Sequence, residues 1–388
     1  MAVVSGEKVL TAFREHFKSE TTPAIYRAPG RVNLIGEHTD YNLGFVFPIA
    51  LEMACYAAIA PADDAQLRIY SKQVDEEVVL SVERILEAKP SGKWSDYVVG
   101  VARGLVKAGI PLSGGNLCVS TDVPVGSGLS SSAALEISAA FALLGSHQME
   151  RLNIARLGQR SEIEFVGIPC GIMDQYAAVF GREGAAIQID CRSLKHEYVP
   201  LPRGVAIIAV NSLVKHALAN SAYRERVAEC QAAVAAIQTL DHSVQSLRDV
   251  SMQYFVEIQE SIPPVPRRRS RHVISDSQRV LELAAAARAN DLEEMGRLFV
   301  ASHRSMQYDY EVSCEEIDFL VDTALRVPGV YGARMTGGGF GGCTVNLVAP
   351  EATDNFRHEM SEAYERRYAK TPQFYDCIPA AGAGRVQP

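Results

Sequence analysis

Apolar positions recur at helical spacing in some stretches of the chain and alternate in others, and these two periods divide it into elements. Glu7–Phe17 predicts a short helix, followed by extended, Pro- and Gly-punctuated residues around Arg27–Glu37. Phe45–Ala60 is apolar and rich in strand formers, and Leu67–Ser71 and Glu77–Val82 alternate like the arms of a hairpin. Asp96–Ala108 predicts a helix and Asn116–Thr121 a strand. A loop at Asp122–Gly128 then leads into a helix over Ser131–Gly145, with Ala134, Leu135, Ile137, Phe141 and Leu144 near helical spacing. Ile154–Val166 predicts a second helix, stopped by Gly167-Ile168-Pro169.

Val205–Val210 is a buried-type strand, and helices are expected over Ala222–Thr239, Ser277–Ala289, Leu292–Arg304 and Cys314–Arg326. The chain ends as strand Cys343–Val348, helix Ala352–Tyr368 and strand Gln373–Cys377. Pro263-Pro264-Val265-Pro266 predicts a stiff loop. Strand signals dominate before about residue 200 and helix signals after it, which suggests two domains, 1–203 and 204–388.

Composition narrows the function classes. The 388 residues are 47% hydrophobic and 22% charged, ordinary values for a globular protein able to bury a large core. The formal net charge of −8 argues against nucleic acid as a partner, because phosphate backbones demand a basic face. The 8 cysteines form no C-x-x-C pair, which removes zinc-ribbon and thioredoxin readings and suits a reducing compartment. Met1–Phe17 has no apolar signal-peptide core, and no run of 18 apolar residues suggests a membrane span. A cytoplasmic monomer is the expectation.

The densest local chemistry is Asp122-Val-Pro-Val-Gly-Ser-Gly-Leu-Ser-Ser-Ser-Ala-Ala134. A strand enters a loop bearing Gly126 and Gly128, and Ser130, Ser131 and Ser132 open a helix. Glycines admit a phosphate close to the backbone, and the helix start offers free N–H groups and the positive dipole end. A capped helix after a glycine turn would look the same. Two standard nucleotide motifs fail. Gly92-Lys93 is followed by Trp94, where a Walker A loop needs Ser or Thr. Gly337, Gly339 and Gly342 match G-x-G-x-x-G, but the strand-like Cys343–Leu347 follows instead of a helix. No His-Arg-Asp or Asp-Phe-Gly protein-kinase motif is present.

Four segments together carry a family resemblance. Arg27-Ala-Pro-Gly-Arg31-Val-Asn-Leu-Ile-Gly-Glu37-His38-Thr-Asp40-Tyr41-Asn42 resembles the galactokinase signature. Val123–Ala133 resembles the second motif of the GHMP small-molecule kinases. Gly167-Ile-Pro-Cys-Gly171-Ile-Met-Asp174-Gln resembles the galactokinase catalytic segment, and Met335–Gly342 resembles the third GHMP motif. They follow the family's order across residues 27 to 346. The segment Arg271–Asp276 departs from the pattern, ending in Asp where Glu is expected, and Arg267-Arg268-Arg269 reads as a solvated or helix-preceding basic patch.

The resemblance implies an α+β, two-lobed GHMP kinase fold with the active site in the cleft between lobes. Galactose and ATP would be the substrates, with Mg2+ as the metal. By the same resemblance Asp174 is the base that takes the proton of the anomeric hydroxyl, although its position also suits a helix N-cap. Arg31 would stabilise charge on the transferred group. Glu37, His38 and Asp40 are implied sugar clamps, Gly171 lets backbone reach the sugar, and Tyr223 adds a phenol. Gly126, Ser127, Gly128, Leu129, Ser130, Ser131 and Ser132 would hold the nucleotide's phosphates, with Trp94 and Tyr97 near its base. Ser132 and Glu162 are the implied Mg2+ ligands, since Mg2+ keeps waters and needs few protein oxygens. Glu164 faces elsewhere on the same helix. Gly337–Gly342 would close over the site. An N-acetylgalactosamine or mevalonate kinase, or a galactose sensor without catalysis, are the competing readings.

Overall fold

The structure is a computed structural model and describes residues 6–215 and 219–386. Its largest sheet has 6 strands in the order 384–386, 24–33, 48–61, 115–121, 66–71 and 76–81. Every neighbouring pair is antiparallel except 66–71 with 115–121. A second, antiparallel sheet of 4 strands runs 330–336, 341–348, 206–215 and 373–376, and a smaller sheet joins 45–46, 185–190 and 195–200.

The apolar run Phe45–Ala60 becomes the long strand Pro48–Pro61, and the expected hairpin pairs as Gln66–Ser71 with Glu76–Ser81. Helix Ser131–Leu144 packs on the large sheet with most of its residues buried and none fully exposed, as its mostly apolar circumference requires. The main core extends from that sheet into Met295, Leu298, Phe299, Cys343, Val345 and Leu347, so apolar packing is continuous between the lobes.

Several elements differ from the sequence expectation. The Pro263–Pro266 stretch is not the stiff loop expected. Pro264 opens a helix that runs to Ala289, and Pro266 still lies in its first turn, where the backbone N–H groups have no intrahelical partner to lose. The basic run therefore lies inside a helix, and Arg269 is 2% exposed. Arg269 pairs with Glu229 and Glu311, Arg268 with Glu311 and Arg267 with Glu260. Strands Ala185–Asp190, Lys195–Pro200, Val330–Thr336 and Gly384–Val386 lack clear sequence signals, and the last of these returns to pair with Ala24–Asn33. Helix Arg151–Ser161 passes into a π turn at Glu162–Val166 before Gly167 ends it in the left-handed region.

Candidate active site

The site is organised around Arg31 and Asp174. Strand Ala24–Asn33 shifts register against its neighbour between Pro29 and Arg31, an irregularity of the kind that re-aims side chains beside functional sites. The Arg31 guanidinium meets Asp174 Oδ1, with Nη2 at 2.6 Å and Nε at 2.8 Å. Its Nη1 donates to the Gly128 carbonyl at 2.6 Å. Asp174 does not cap its helix. That helix is Met173–Phe180, capped at Ile172, so Asp174 is already inside the first turn. Its second oxygen, Oδ2, accepts from the Ser130 hydroxyl at 2.6 Å. Ser130 adopts a φ of 62°, a left-handed conformation rare for serine, and its hydroxyl makes no capping bond to the helix it precedes. The free N–H groups at the start of helix Ser131–Leu144 are thus left for a ligand.

Two cavities meet at this pair. The smaller, about 210 Å³, is lined by Glu37, His38, Asp40, Glu162, Gly171, Tyr223 and the Gly337–Phe340 turn, besides Arg31 and Asp174. Asp40 is buried, and burial together with the Asp174 charge pushes its carboxyl up to about 6. Gly171 packs against that carboxylate so closely that a Cβ there would lie 1.6 Å from Asp40 Oδ2. Glu37 is 1% exposed and bridges to the neighbouring sheet: Oε2 accepts from Arg334, and Oε1 accepts from the Thr336 hydroxyl and the Gly337 N–H, both at 3.2 Å. Burial raises its carboxyl above the usual range, opposed by Arg334. Burial also drops the His38 imidazole to about 3, so the ring is neutral.

The larger cavity, about 490 Å³, is lined by Trp94, Tyr97, Gly126, Gly128, Ser130, Ser131 and Ser132, and it shares Arg31, Asp174 and Gly338 with the smaller one. Ser127 and Leu129 do not line it. Leu129 is fully buried, and the Ser127 hydroxyl donates to the Pro124 carbonyl, so these two shape the loop from within. Gln73, Val74 and Val125 also line it.

Glu162 sits at the start of the π turn, a local irregularity frequent at functional sites. Burial and the Asp174 charge push its carboxyl up to about 7. The nearby Ser132 hydroxyl opposes that rise, and Gln175 Nε2 donates at 2.9 Å to both Glu162 and the fully buried Glu136. Glu164 pairs with Lys107 away from the cavities. Among the described residues no group of three or more His, Cys, Asp and Glu could hold a metal by itself. One hydroxyl and one partly neutralised buried carboxylate nonetheless fit a hard cation that brings waters and phosphate oxygens as its other ligands. Arg334, Glu136 and Gln175 escaped the sequence reading. Arg334 left one clue, a charge inside a strand otherwise built for the core, immediately before the glycine run.

This architecture defines a GHMP small-molecule kinase: the GHMP kinase N-terminal domain family matches residues 96–182 and the C-terminal family residues 283–366. The galactokinase galactose-binding signature matches residues 11–61. A galactokinase of a Roseiflexus species is 45% identical over 379 residues, covering 96% of this chain and 95% of that protein. The crystal structure of Lactococcus lactis galactokinase complexed with galactose superposes with a TM-score of 0.94 at 35% identity, covering 98% of this chain and 99% of that one. Mevalonate kinase of Methanococcus jannaschii shares the fold at a TM-score of 0.65 and 19% identity, over 93% of this chain and all of that one. The chain belongs to the galactokinase family.

Proposed function

We propose that this protein transfers the terminal phosphoryl group of ATP to the anomeric hydroxyl of galactose, giving galactose 1-phosphate and ADP. The observation that carries the reading is the Arg31–Asp174 pair at the junction of the two cavities, one sized for a monosaccharide and one for a nucleotide. In this reading galactose occupies the smaller cavity. Glu37, His38, Asp40, Gly171 and Tyr223 line it, and at neutral pH Asp40 is a carboxylate able to accept from two sugar hydroxyls. ATP occupies the larger, with its phosphates against Gly126–Ser132 and its base toward Trp94 and Tyr97.

Phosphoryl transfer depends mainly on in-line placement and on neutralising charge. Asp174 accepts the proton of the anomeric O–H as that oxygen forms its bond to the γ-phosphorus and the bond to the β-phosphate oxygen breaks. The Asp174 side chain is 30% exposed, so the proton can pass on to water. Arg31 holds the Asp174 carboxylate and presents fixed positive charge to the transferred group. Ser132 and Glu162 would hold Mg2+ beside the phosphates. When bound, the ion supplies positive charge to the phosphate oxygens.

A division into 1–203 and 204–388 is supported by the 6- and 3-stranded sheets drawing on the first segment, apart from strand 384–386, and the 4-stranded sheet on the second. No helix among the described residues is long and apolar enough to cross a membrane. The test is coupled ADP release with galactose, N-acetylgalactosamine, glucose and mevalonate. Galactose is expected to be best by far, and equal turnover of N-acetylgalactosamine would refute the assignment.

A further inference from the structure

A chain of hydrogen bonds connects the small cavity to side chains that line neither cavity. His38 Nε2 lies 3.1 Å from the Gly338 carbonyl, and its Nδ1 lies 2.9 Å from the Tyr41 hydroxyl. Tyr41 Oη is 2.7 Å from Tyr310 Oη, which is 3.1 Å from Cys230 Sγ. The chemistry of the partners gives this chain one direction. A carbonyl only accepts, so His38 must carry its proton on Nε2. The buried ring is neutral, so Nδ1 holds a lone pair and Tyr41 must donate to it. Tyr41 then accepts from Tyr310, and Tyr310 accepts from the Cys230 thiol.

The far end of the chain is the Gly337–Phe340 turn, the structural hub of the site. Gly338 lines both cavities. A Cβ on Gly337 would lie 3.1 Å from the Gly128 carbonyl, so this turn packs directly on the phosphate loop, whose same Gly128 carbonyl accepts from Arg31. Glu37 accepts from the Gly337 N–H, and Phe340 N–H donates to the Val312 carbonyl at 2.7 Å, two residues beyond Tyr310. Both ring nitrogens of His38 are therefore committed to protein partners.

We propose that Tyr41, Tyr310 and Cys230 are positioning residues that fix His38 as the Nε2–H tautomer. Through its bond to Gly338, His38 clasps the glycine turn at a residue that lines both the sugar and the nucleotide cavity. The inference rests on the two-cavity reading above and deepens it. The clasp couples the two substrates, so removing a hydroxyl that touches neither cavity weakens both.

The experiment uses the full-length protein with the substitutions Tyr41→Phe, Tyr310→Phe, His38→Gln and His38→Leu. Long-range 1H–15N spectra of the histidine rings at neutral pH are expected to show His38 protonated on Nε2 in the wild type, and to show the unprotonated Nδ1 resonance shifted in Tyr41→Phe because its hydrogen bond is gone. Calorimetric titration with galactose, and separately with a non-hydrolysable ATP analogue and Mg2+, is expected to show Tyr41→Phe weakened for each ligand by roughly 2- to 10-fold, the size of one hydrogen bond. Tyr310→Phe should show a smaller loss in the same direction, because Tyr41 keeps its donation to His38. His38→Gln can still donate to Gly338 and accept from Tyr41, and should retain most of the affinity that His38→Leu loses for the nucleotide analogue. An Nδ1-protonated or doubly protonated His38 in the wild type, unchanged nucleotide binding in Tyr41→Phe, or equal loss in His38→Gln and His38→Leu would each overturn the proposal. Failure of the galactokinase reading would appear separately, as a wild-type enzyme that does not release ADP with galactose.

Discussion

Replacing Asp174 by Asn separates its chemical role from its structural one. Asn matches Asp in size and its carbonyl can still accept one hydrogen bond from Arg31, but it cannot take the proton of a sugar hydroxyl. Loss of a positioned base typically costs about 100- to 10,000-fold in rate, or roughly 3 to 5.5 kcal/mol of barrier. The structural cost is smaller and can be bounded. Arg31 is 5% exposed and Asp174 30% exposed, so the pair is only partly desolvated. A hydrogen bond to a charged group contributes about 1.5–3 kcal/mol, and Asn keeps part of that, leaving a loss of about 1–2 kcal/mol. A protein of this size absorbs that as a shift of a few degrees in melting temperature. Asp174→Asn should therefore fold, bind galactose by calorimetry, and show kcat reduced by at least about 100-fold in a coupled ADP assay run well below its melting temperature. Near-normal kcat would refute the general-base role. A loss of only about tenfold would also refute it, leaving Asp174 as an orienting group and Arg31 with the phosphate-side charges as the main source of acceleration.

Other consequences can be measured directly. Gly171→Ala should abolish galactose binding while leaving nucleotide-analogue binding intact, because the new Cβ would displace the Asp40 carboxylate it lies 1.6 Å from; unchanged galactose affinity in calorimetry would contradict this. Asp40 titrates at about 6, above its unfolded value, so the folded state takes up a proton as pH falls through 6. That uptake stabilises the fold through this group, yet it removes a carboxylate acceptor from the sugar, so KM for galactose should rise between about pH 7 and about pH 5; a flat KM would rule out Asp40 as an ionised clamp. Glu162→Ala and Ser132→Ala should raise the Mg2+ concentration needed for half-maximal nucleotide-analogue binding while sparing galactose binding, and wild-type behaviour of both at limiting Mg2+ would exclude them as ligands.

How much of this could be read from the chain depended on whether the signal was local. Helix Ser131–Leu144, the hairpin at 66–81 and the stop at Gly167 are written in adjacent residues, and they came out within a residue or two. The helix from Pro264 was misplaced because prolines usually mark breaks, and only their position in a first turn makes them harmless. Strand Gly384–Val386 could not be seen, because three residues carry no period and its partner lies at the other end of the chain. The motifs located Asp174, Arg31 and the serine loop. Their spacing says nothing of Ser130 reaching Asp174 across 44 positions, or of Arg334 reaching Glu37 across 297. Side chains that work in contact with a motif but outside it leave, at most, a misplaced charge in an apolar strand.

The charge of the site explains why its phosphate end is built from backbone. Asp40, Asp174, Glu37 and Glu162 line the smaller cavity, and the chain as a whole carries −8. Among the described residues lining the larger cavity, Arg31 is the only cation, and it is already engaged by Asp174. Arg334 is buried beneath the small cavity and spent on Glu37. Side-chain charge alone therefore repels a polyphosphate. What remains to attract one is the uncapped start of helix Ser131–Leu144, whose dipole amounts to about half a positive charge, and, in the proposed function, the cation that Ser132 and Glu162 would hold. Ser130 serves both the helix start and Asp174. By turning its hydroxyl toward Asp174 instead of back onto its own helix, it leaves the helix amides open and fixes the base in one contact. A Ser130→Ala variant loses the second function but not the first, so it should bind nucleotide nearly as well as wild type while turning over more slowly.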